Sequence, residues 1–170
     1  TRSELNEWEA ANILKAVKFH LTGKRKLDID LVWLKKLHQE MFDETWKWAG
    51  EFRQRNMSLG VDWHNINEQI KALTDDLAYW KKSNDLKMLN QSVRFHHRLV
   101  KIHPFINGNG RHARLASDVF LFNNGHKLPI WPNKALLETS DIRKRYIAAL
   151  QEADQGNYQP LDNFTAELIG

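Results

Sequence analysis

The segment Ile102-His103-Pro104-Phe105-Ile106-Asn107-Gly108-Asn109-Gly110-Arg111-His112-Ala113-Arg114 stops one helix and starts another. Pro104 cannot continue the helix that ends near Lys101, because its ring removes the amide proton and clashes with the preceding turn. Gly108 and Gly110 allow backbone angles that aim successive N–H groups into one concave nest. The helix beginning near Arg111 adds its own unpaired N–H groups and the positive end of its dipole. Arg111 and Arg114, three apart, share a face of that first turn and can fork onto phosphate oxygens. Asn109 can donate and accept inside the nest. Together these parts make a cradle for a polyphosphate.

On both sides of this loop the apolar residues recur with helical period, and strand-like alternation is scarce. Ser3 caps a first helix carrying Leu5, Trp8, Ala11, Ile13 and Val17, and Gly23 with Lys24-Arg25-Lys26 ends it. A second helix opens at Asp28 and Asp30 and continues through Leu31, Leu34, Leu37 and Met41. Residues 52–64 change character: Gly50, Gly60 and the polar residues between them bracket short apolar positions, which predicts a small β-hairpin flap. Further helices are expected over about 67–82, 86–101, 111–124, 139–153 and 160–168, with Leu115, Val119 and Phe122 facing inward from the helix after the loop. The expectation is one all-α domain over residues 1–170 with a small β-hairpin flap.

Length and composition agree with that. A chain of 170 residues falls in the range of one domain and is long enough to bury roughly 70% of its extended surface. The hydrophobic share of 42% against 27% charged residues is globular rather than disordered. No apolar run reaches the ~18 residues of a membrane helix. The absence of cysteine removes disulfides, thiolate nucleophiles and zinc–thiolate sites, and fits a cytoplasmic setting. The chain opens on Thr1 without Met, the expectation for a protein that has lost an N-terminal piece. The seven tryptophans, Trp46, Trp48 and Trp80 among them, read as core or groove lining.

Charge is segregated. Residues 1–85 balance, whereas residues 86–137 hold eight Lys and Arg against Asp118 alone. An anionic partner is the expected consequence, with nucleic acid, phosphate metabolites and acidic proteins all open at this level. A helical nucleic-acid-binding domain rests on that window alone and ranks last. The loop lies inside the window, and His103 stands at its rim, where an imidazole with an ordinary pKa near 6.5 can take a proton from an incoming hydroxyl. Phe105 turns inward and locks the loop that aims it.

Other motif readings fail on context. Gly108-x-Gly110-x-x-Ala113 lacks the preceding strand of a dinucleotide fold and the acid some 20 residues on. No Gly-Lys-Ser/Thr makes a Walker loop. His96 and His97 are adjacent on a helix and point apart, so they and His103 do not make a metal site.

The run His103-Pro104-Phe105-Ile106-Asn107-Gly108-Asn109-Gly110-Arg111-His112-Ala113-Arg114 closely resembles the signature of the Fic (filamentation induced by cAMP) family, His-x-Phe-x-Asp/Glu-Gly-Asn-Gly-Arg-x-x-Arg. Trp48-Ala49-Gly50-Glu51-Phe52-Arg53 is similar to the family's entry to its flap, and Arg145-Tyr146 through Asn157-Tyr158-Gln159-Pro160-Leu161 to its closing helices. Asn107 in the acidic slot and Glu4-Leu5-Asn6-Glu7-Trp8-Glu9 resemble a bacterial subgroup called mobile mystery protein B.

The resemblance implies an all-α fold and transfer of AMP from ATP, with Mg²⁺ or Mn²⁺, to a Ser, Thr or Tyr hydroxyl of a target protein. His103 is then the general base. Gly108, Asn109 and Gly110 bind the α- and β-phosphates with Arg111 assisting, and Arg114 holds the γ-phosphate. The flap, roughly 53–62, clamps the target segment by strand addition. Asn107 stands where the family places its metal-binding acid, which a neutral amide replaces at a loss of charge for a hard cation. That loss makes a weakly active or inactive nucleotide- or partner-binding module, or a transferase using another donor, the alternative. Ser3-Glu4-Leu5-Asn6-Glu7 fits most of the family's inhibitory helix pattern, so Glu7 is expected to pair with Arg114 within an inhibitory segment over residues 1–22. Fic-like toxins are often paired with small inhibitor proteins, so such a partner is also implied.

Overall fold

The computed structural model describes all residues 1–170, and its centre is a helix buried almost all the way round. That helix, α5 (Asn109–Asn123), has every residue from His112 to Leu121 buried, as expected for a helix packed on several sides. It packs chiefly on α4 (Met88–Ile102) and α2 (Leu31–Phe42), and the other helices are α1 (Arg2–His20), α3 (Ile66–Ser83), α6 (Asn133–Leu137), α7 (Asp141–Asp154) and α8 (Gln159–Glu167). A single 3-10 turn, Trp63–Asn65, leads into α3. The main core takes Leu34, Leu37, Met41 and Phe42 from α2, Ile70, Leu73 and Leu77 from α3, Phe95 and Leu99 from α4, and Leu115, Val119 and Leu121 from α5. A smaller core joins Val93 of α4 to Leu136, Tyr146, Ala149, Ala153, Leu161 and Phe164 of α6, α7 and α8. Helix α4 therefore serves both cores.

Helix starts follow short polar side chains. Asp30 accepts from Trp33 N at 2.8 Å, and Ser140 from Arg143 N at 3.0 Å. The first helix is capped by Thr1 in a capping box with Glu4, not by Ser3, which lies exposed. Its inner face also differs from the expected apolar stripe. Trp8 is 67% exposed, and the buried residues are Glu9, Asn12, Ala16 and His20. Asn12 Nδ2 donates to Glu40 O and Asp43 Oδ1, both at 3.1 Å, and Asn12 Oδ1 accepts from Glu44 N at 3.0 Å. His20 Nε2 lies 3.1 Å from Glu40 Oε1. A polar seam holds α1 to α2.

The all-α class is what the structure has, but the β-hairpin flap is not formed. Residues 51–62 run as irregular chain, with no strand anywhere in the protein. The physical reason is Arg53, which is 2% exposed and fills the space between the two arms. Its guanidinium donates to Arg55 O at 2.8 Å, Val61 O at 2.5 Å, His103 O at 2.6 Å and Ile102 O at 3.2 Å. The arms in turn donate outward to the end of α4 and the loop after it, Val61 N to Ile102 O at 3.3 Å and Arg53 N to Pro104 O at 2.9 Å. Groups that a hairpin ladder needs are already committed. Gly60, at φ +100°, makes the close approach possible, since a Cβ there would stand 2.6 Å from Arg53 Nη2 and 2.7 Å from His103 Cβ.

Candidate active site

Helix α4 ends where its backbone turns left-handed at His103, φ 53° and ψ 61°. Such a conformation is costly for a residue with a Cβ and persists only where the surroundings fix it. Three groups do so here: Pro104 follows directly, the His103 amide donates to Leu99 O at 3.2 Å, and Arg53 Nε holds the His103 carbonyl. The half-buried imidazole carries a pKa below the ordinary 6.5, first because burial disfavours the cation and then because the Arg53 guanidinium is near. His103 is therefore a neutral base at pH 7.

The loop from Phe105 to Gly108 is rigid for identifiable reasons. Asn109, expected to reach a phosphate, instead turns its side chain back. Its Oδ1 accepts from Phe105 N at 2.9 Å and its Nδ2 donates to Phe105 O at 2.8 Å, stapling the loop from inside. Phe105 is fully buried, stacked 3.7 Å from the His38 ring at 13°. Gly108, the N-cap of α5 at φ 78°, sits so close to Phe42 that a Cβ would lie 2.5 Å from its Cζ. The N–H groups of Asn109, Gly110 and Arg111 have no partner in the protein, so the first turn of α5 presents three free donors.

The arginines go separate ways. Arg111 forms an ion pair with Glu9 of α1 and lies 5.0 Å over the Phe42 ring. Arg114 is 6% exposed and its Nη1 donates to Tyr146 Oη at 3.3 Å, its one hydrogen bond. The pairing expected between Glu7 and Arg114 is not the one formed. Glu7 is exposed, and α1 instead brings Glu9 to the first arginine, because residues three, seven and eleven along from Glu9 make up the helix face that meets the rest of the protein.

Asn107 is exposed and accepts at Oδ1 from Gly108 N at 2.7 Å. No group of three His, Asp or Glu that could hold a metal ion occurs in the chain. The residues present thus supply one amide oxygen, already bonded, and no carboxylate, which is a poor match to the hard oxygen-rich shell that Mg²⁺ demands.

Several residues at the site carried no motif of their own. His38 is fully buried; its Nδ1 accepts from Gly50 N at 2.9 Å, so its Nε2 carries the proton and donates to Asn107 O at 3.0 Å. Burial holds its pKa at about 4. Tyr146 of α7, His96 of α4 and Asp118 of α5 lie about Arg114, and Trp131 from the segment before α6 donates to Asp118. Glu9 was the detectable one, since Glu9, Asn12 and His20 repeat on one side of a helix with little apolar content.

The Fic/DOC family pattern matches residues 28–121, more than half of the chain. The protein adenylyltransferase Fic of Drosophila grimshawi is 29% identical over 147 residues, covering 84% of this chain and 29% of that protein. The same-named protein of Drosophila mojavensis is 30% identical over 122 residues, covering 70% of this chain and 23% of its own length. The chain thus spans less than a third of these relatives. Among solved structures, BepC, a VirB-translocated Bartonella effector protein from Bartonella tribocorum with bound AMPPNP, superposes with a TM-score of 0.74 at 21% identity, covering 99% of this chain and 87% of that one. Fic-1 from C. elegans gives a TM-score of 0.72 at 23% identity, covering 94% and 47%.

Proposed function

The chain belongs to the Fic/DOC family, and we propose that it is a protein adenylyltransferase that moves AMP from ATP to a Ser, Thr or Tyr hydroxyl of a target protein. One observation carries the reading. A neutral, unbonded imidazole at His103 borders a helix N-terminus with three free N–H groups, and two arginines rise from that same helix turn. In the reaction the target hydroxyl oxygen attacks the α-phosphorus and gives its proton to His103. The bond from the α-phosphorus to the oxygen bridging the β-phosphate breaks, and pyrophosphate leaves. The backbone donors of Asn109, Gly110 and Arg111 take the α- and β-phosphate oxygens, and Arg114 takes the γ-phosphate. Asn109 contributes its backbone and holds the loop with its side chain. The flap segment 53–62, pinned by Arg53 against the His103 carbonyl, is the surface on which a target segment lies beside the base.

A divalent cation, Mg²⁺ or Mn²⁺, would arrive carried by the ATP phosphates and would lower their charge; the residues about Asn107 do not build it a site. A cytoplasmic protein with access to ATP fits the reading, and a small inhibitor protein is a further partner of it. Glu9 restrains the site by occupying Arg111. A nucleotide-binding module without transfer is the second reading, favoured by the amide at Asn107. The experiment is transfer of label from α-³²P-ATP to lysate proteins and to the protein itself, for wild type and His103→Ala. Label lost with His103→Ala supports the transferase; ATP binding with no label in either supports the module.

A further inference from the structure

Arg114 leaves the site surface and enters a buried polar layer. Its Nη1 lies directly beneath the loop's second glycine, since a Cβ on Gly110 would stand 3.1 Å from it. The same nitrogen donates to Tyr146 Oη, and the guanidinium carbon is 5.6 Å from the Tyr146 ring centroid. A guanidinium has no acceptor, so the phenol oxygen must accept here. The phenol's own proton then goes to His96 Nε2, 2.7 Å away. Complete burial, with Arg114 nearby, holds the His96 pKa at about 3, so the ring is neutral and can accept there as its Nδ1–H tautomer. The chain of bonds therefore has one direction, from Arg114 to Tyr146 to His96. The His96 ring is in turn fixed by stacking on Tyr146 at 5.7 Å and by the edge of Trp131 at 5.4 Å, whose indole N–H donates to Asp118. Four of the five N–H groups of Arg114 remain without a protein partner. None of these nitrogens is sealed off from solvent, so they can turn to an incoming anion, and a phosphate would bond them more strongly than water.

We propose that Tyr146, oriented by His96, is a positioning residue that fixes where Arg114 presents its free N–H groups, and so sets the preference of the site for a triphosphate donor over shorter nucleotides. Tyr146 touches no substrate and acts through Arg114. The inference rests on the transferase reading, in which Arg114 meets the γ-phosphate while the backbone nest meets the phosphates nearer the sugar. Loss of the phenol oxygen lets the guanidinium swing, and the cost falls on the one phosphate that Arg114 contacts.

The test is calorimetric titration of wild type, Tyr146→Phe, Arg114→Ala and the double variant with ATP, ADP and AMP, alongside steady-state transfer. Tyr146→Phe should weaken ATP binding about tenfold, the scale of one hydrogen bond to a charged group, and leave AMP binding unchanged. The ATP KM should rise by the same factor with kcat retained, as for an interaction made equally in ground and transition states. In the Arg114→Ala background Tyr146→Phe should no longer alter the ATP-to-AMP ratio. Equal losses for all three nucleotides, or a ratio that still falls in that background, assign Tyr146 a packing role and overturn the proposal. If melting curves show Tyr146→Phe poorly folded, His96→Leu carries the same test, and an unchanged ratio there overturns it. Wild type that binds no nucleotide overturns the transferase reading and this proposal with it. Wild type that prefers ATP, with a variant that keeps the preference, overturns this proposal alone.

Discussion

Glu9 and Arg111, 102 positions apart, close an ion pair that ties α1 to the first turn of the central helix. The Glu9 side chain is 7% exposed and that of Arg111 19%, so the pair lies largely out of water. In the transferase reading Arg111 has two possible partners, the Glu9 carboxylate or a phosphate. They compete for one guanidinium.

Glu9→Gln should therefore act in opposite directions on stability and on activity. Without ligand, the largely buried Arg111 guanidinium loses its counter-charge, so the melting temperature falls. ATP supplies the missing counter-charge, so its stabilising effect becomes larger in the variant than in wild type, and label transfer rises. Glu7→Gln, at an exposed helical position, should change neither quantity. Thermal melts with and without ATP, read beside label transfer, check it; equal ATP shifts in wild type and Glu9→Gln remove the restraint.

The rate should report the His103 imidazole through pH. Burial and the neighbouring Arg53 guanidinium hold its pKa below 6.5, so most of the base is unprotonated at pH 7. Transfer is expected to be level from about pH 7 upward and to fall on a single-proton limb below 6.5. His103→Ala should remove transfer with ATP affinity retained. A limb centred above 6.5 contradicts this assignment.

Much of the fold was legible because two signals coincide in it. Pro104, Gly108 and Gly110 punctuate the chain where α4 stops and α5 starts, and Leu34, Leu37, Leu115 and Val119 repeat with helical period on either side. Two elements escaped that logic. The flap has the turn residues and alternating apolar positions of a hairpin, but a ladder needs free backbone groups, and Arg53 takes them. Nothing local tells an arginine that solvates carbonyls from one on a surface. The apolar positions of α1 predict apolar docking, but its buried face is Glu9, Asn12, Ala16 and His20, and the helix docks largely through hydrogen bonds. At the site, residue type lets the Asn109 side chain face the nest, and only the position of the Phe105 backbone shows that side chain to be occupied while its N–H stays free.

Gly60→Ala should open the flap. A methyl group at φ +100° is strained of itself, and it would fall within 2.9 Å of Ile102 O as well as against Arg53 and His103. The segment must lift off the loop after α4, breaking the Val61-to-Ile102 bond. Faster limited proteolysis between residues 53 and 62 and a higher KM for the target protein are expected, with ATP affinity little changed. Wild-type proteolysis rates would place the flap's hold elsewhere.

Asn107→Asp should make transfer proceed at lower Mg²⁺ concentration. The carboxylate keeps the acceptor that holds Gly108 N and adds the charge that a hard cation prefers. His38 still fixes the backbone of this residue through its carbonyl, so the substitution changes charge without moving the loop. The half-saturating Mg²⁺ concentration is the measurement, and no change would mean that residue 107 does not face the cation.

Stability should depend on pH through groups with opposite signs. Burial raises the Asp118 pKa from 3.8 to about 7, so between those values the folded protein holds a proton that the unfolded chain releases. Its contribution to stability is complete below 3.8 and is lost as pH rises through 7. His38, His96 and His112, with pKa values of about 4, 3 and 3 against an ordinary 6.5, act in reverse. Below 6.5 the unfolded chain takes up protons that these rings refuse, and stability falls with pH. Asp118→Asn keeps an oxygen for the Trp131 indole N–H, which donates at 3.0 Å, and removes only the buried charge. The variant should melt above wild type at pH 8, by at least about 2–4 °C for a chain of this size if one kcal/mol is recovered, and the two should converge toward pH 4, where the wild-type carboxyl is neutral as well. Identical melting curves at pH 8 would mean that Arg114 compensates the ionised carboxylate fully.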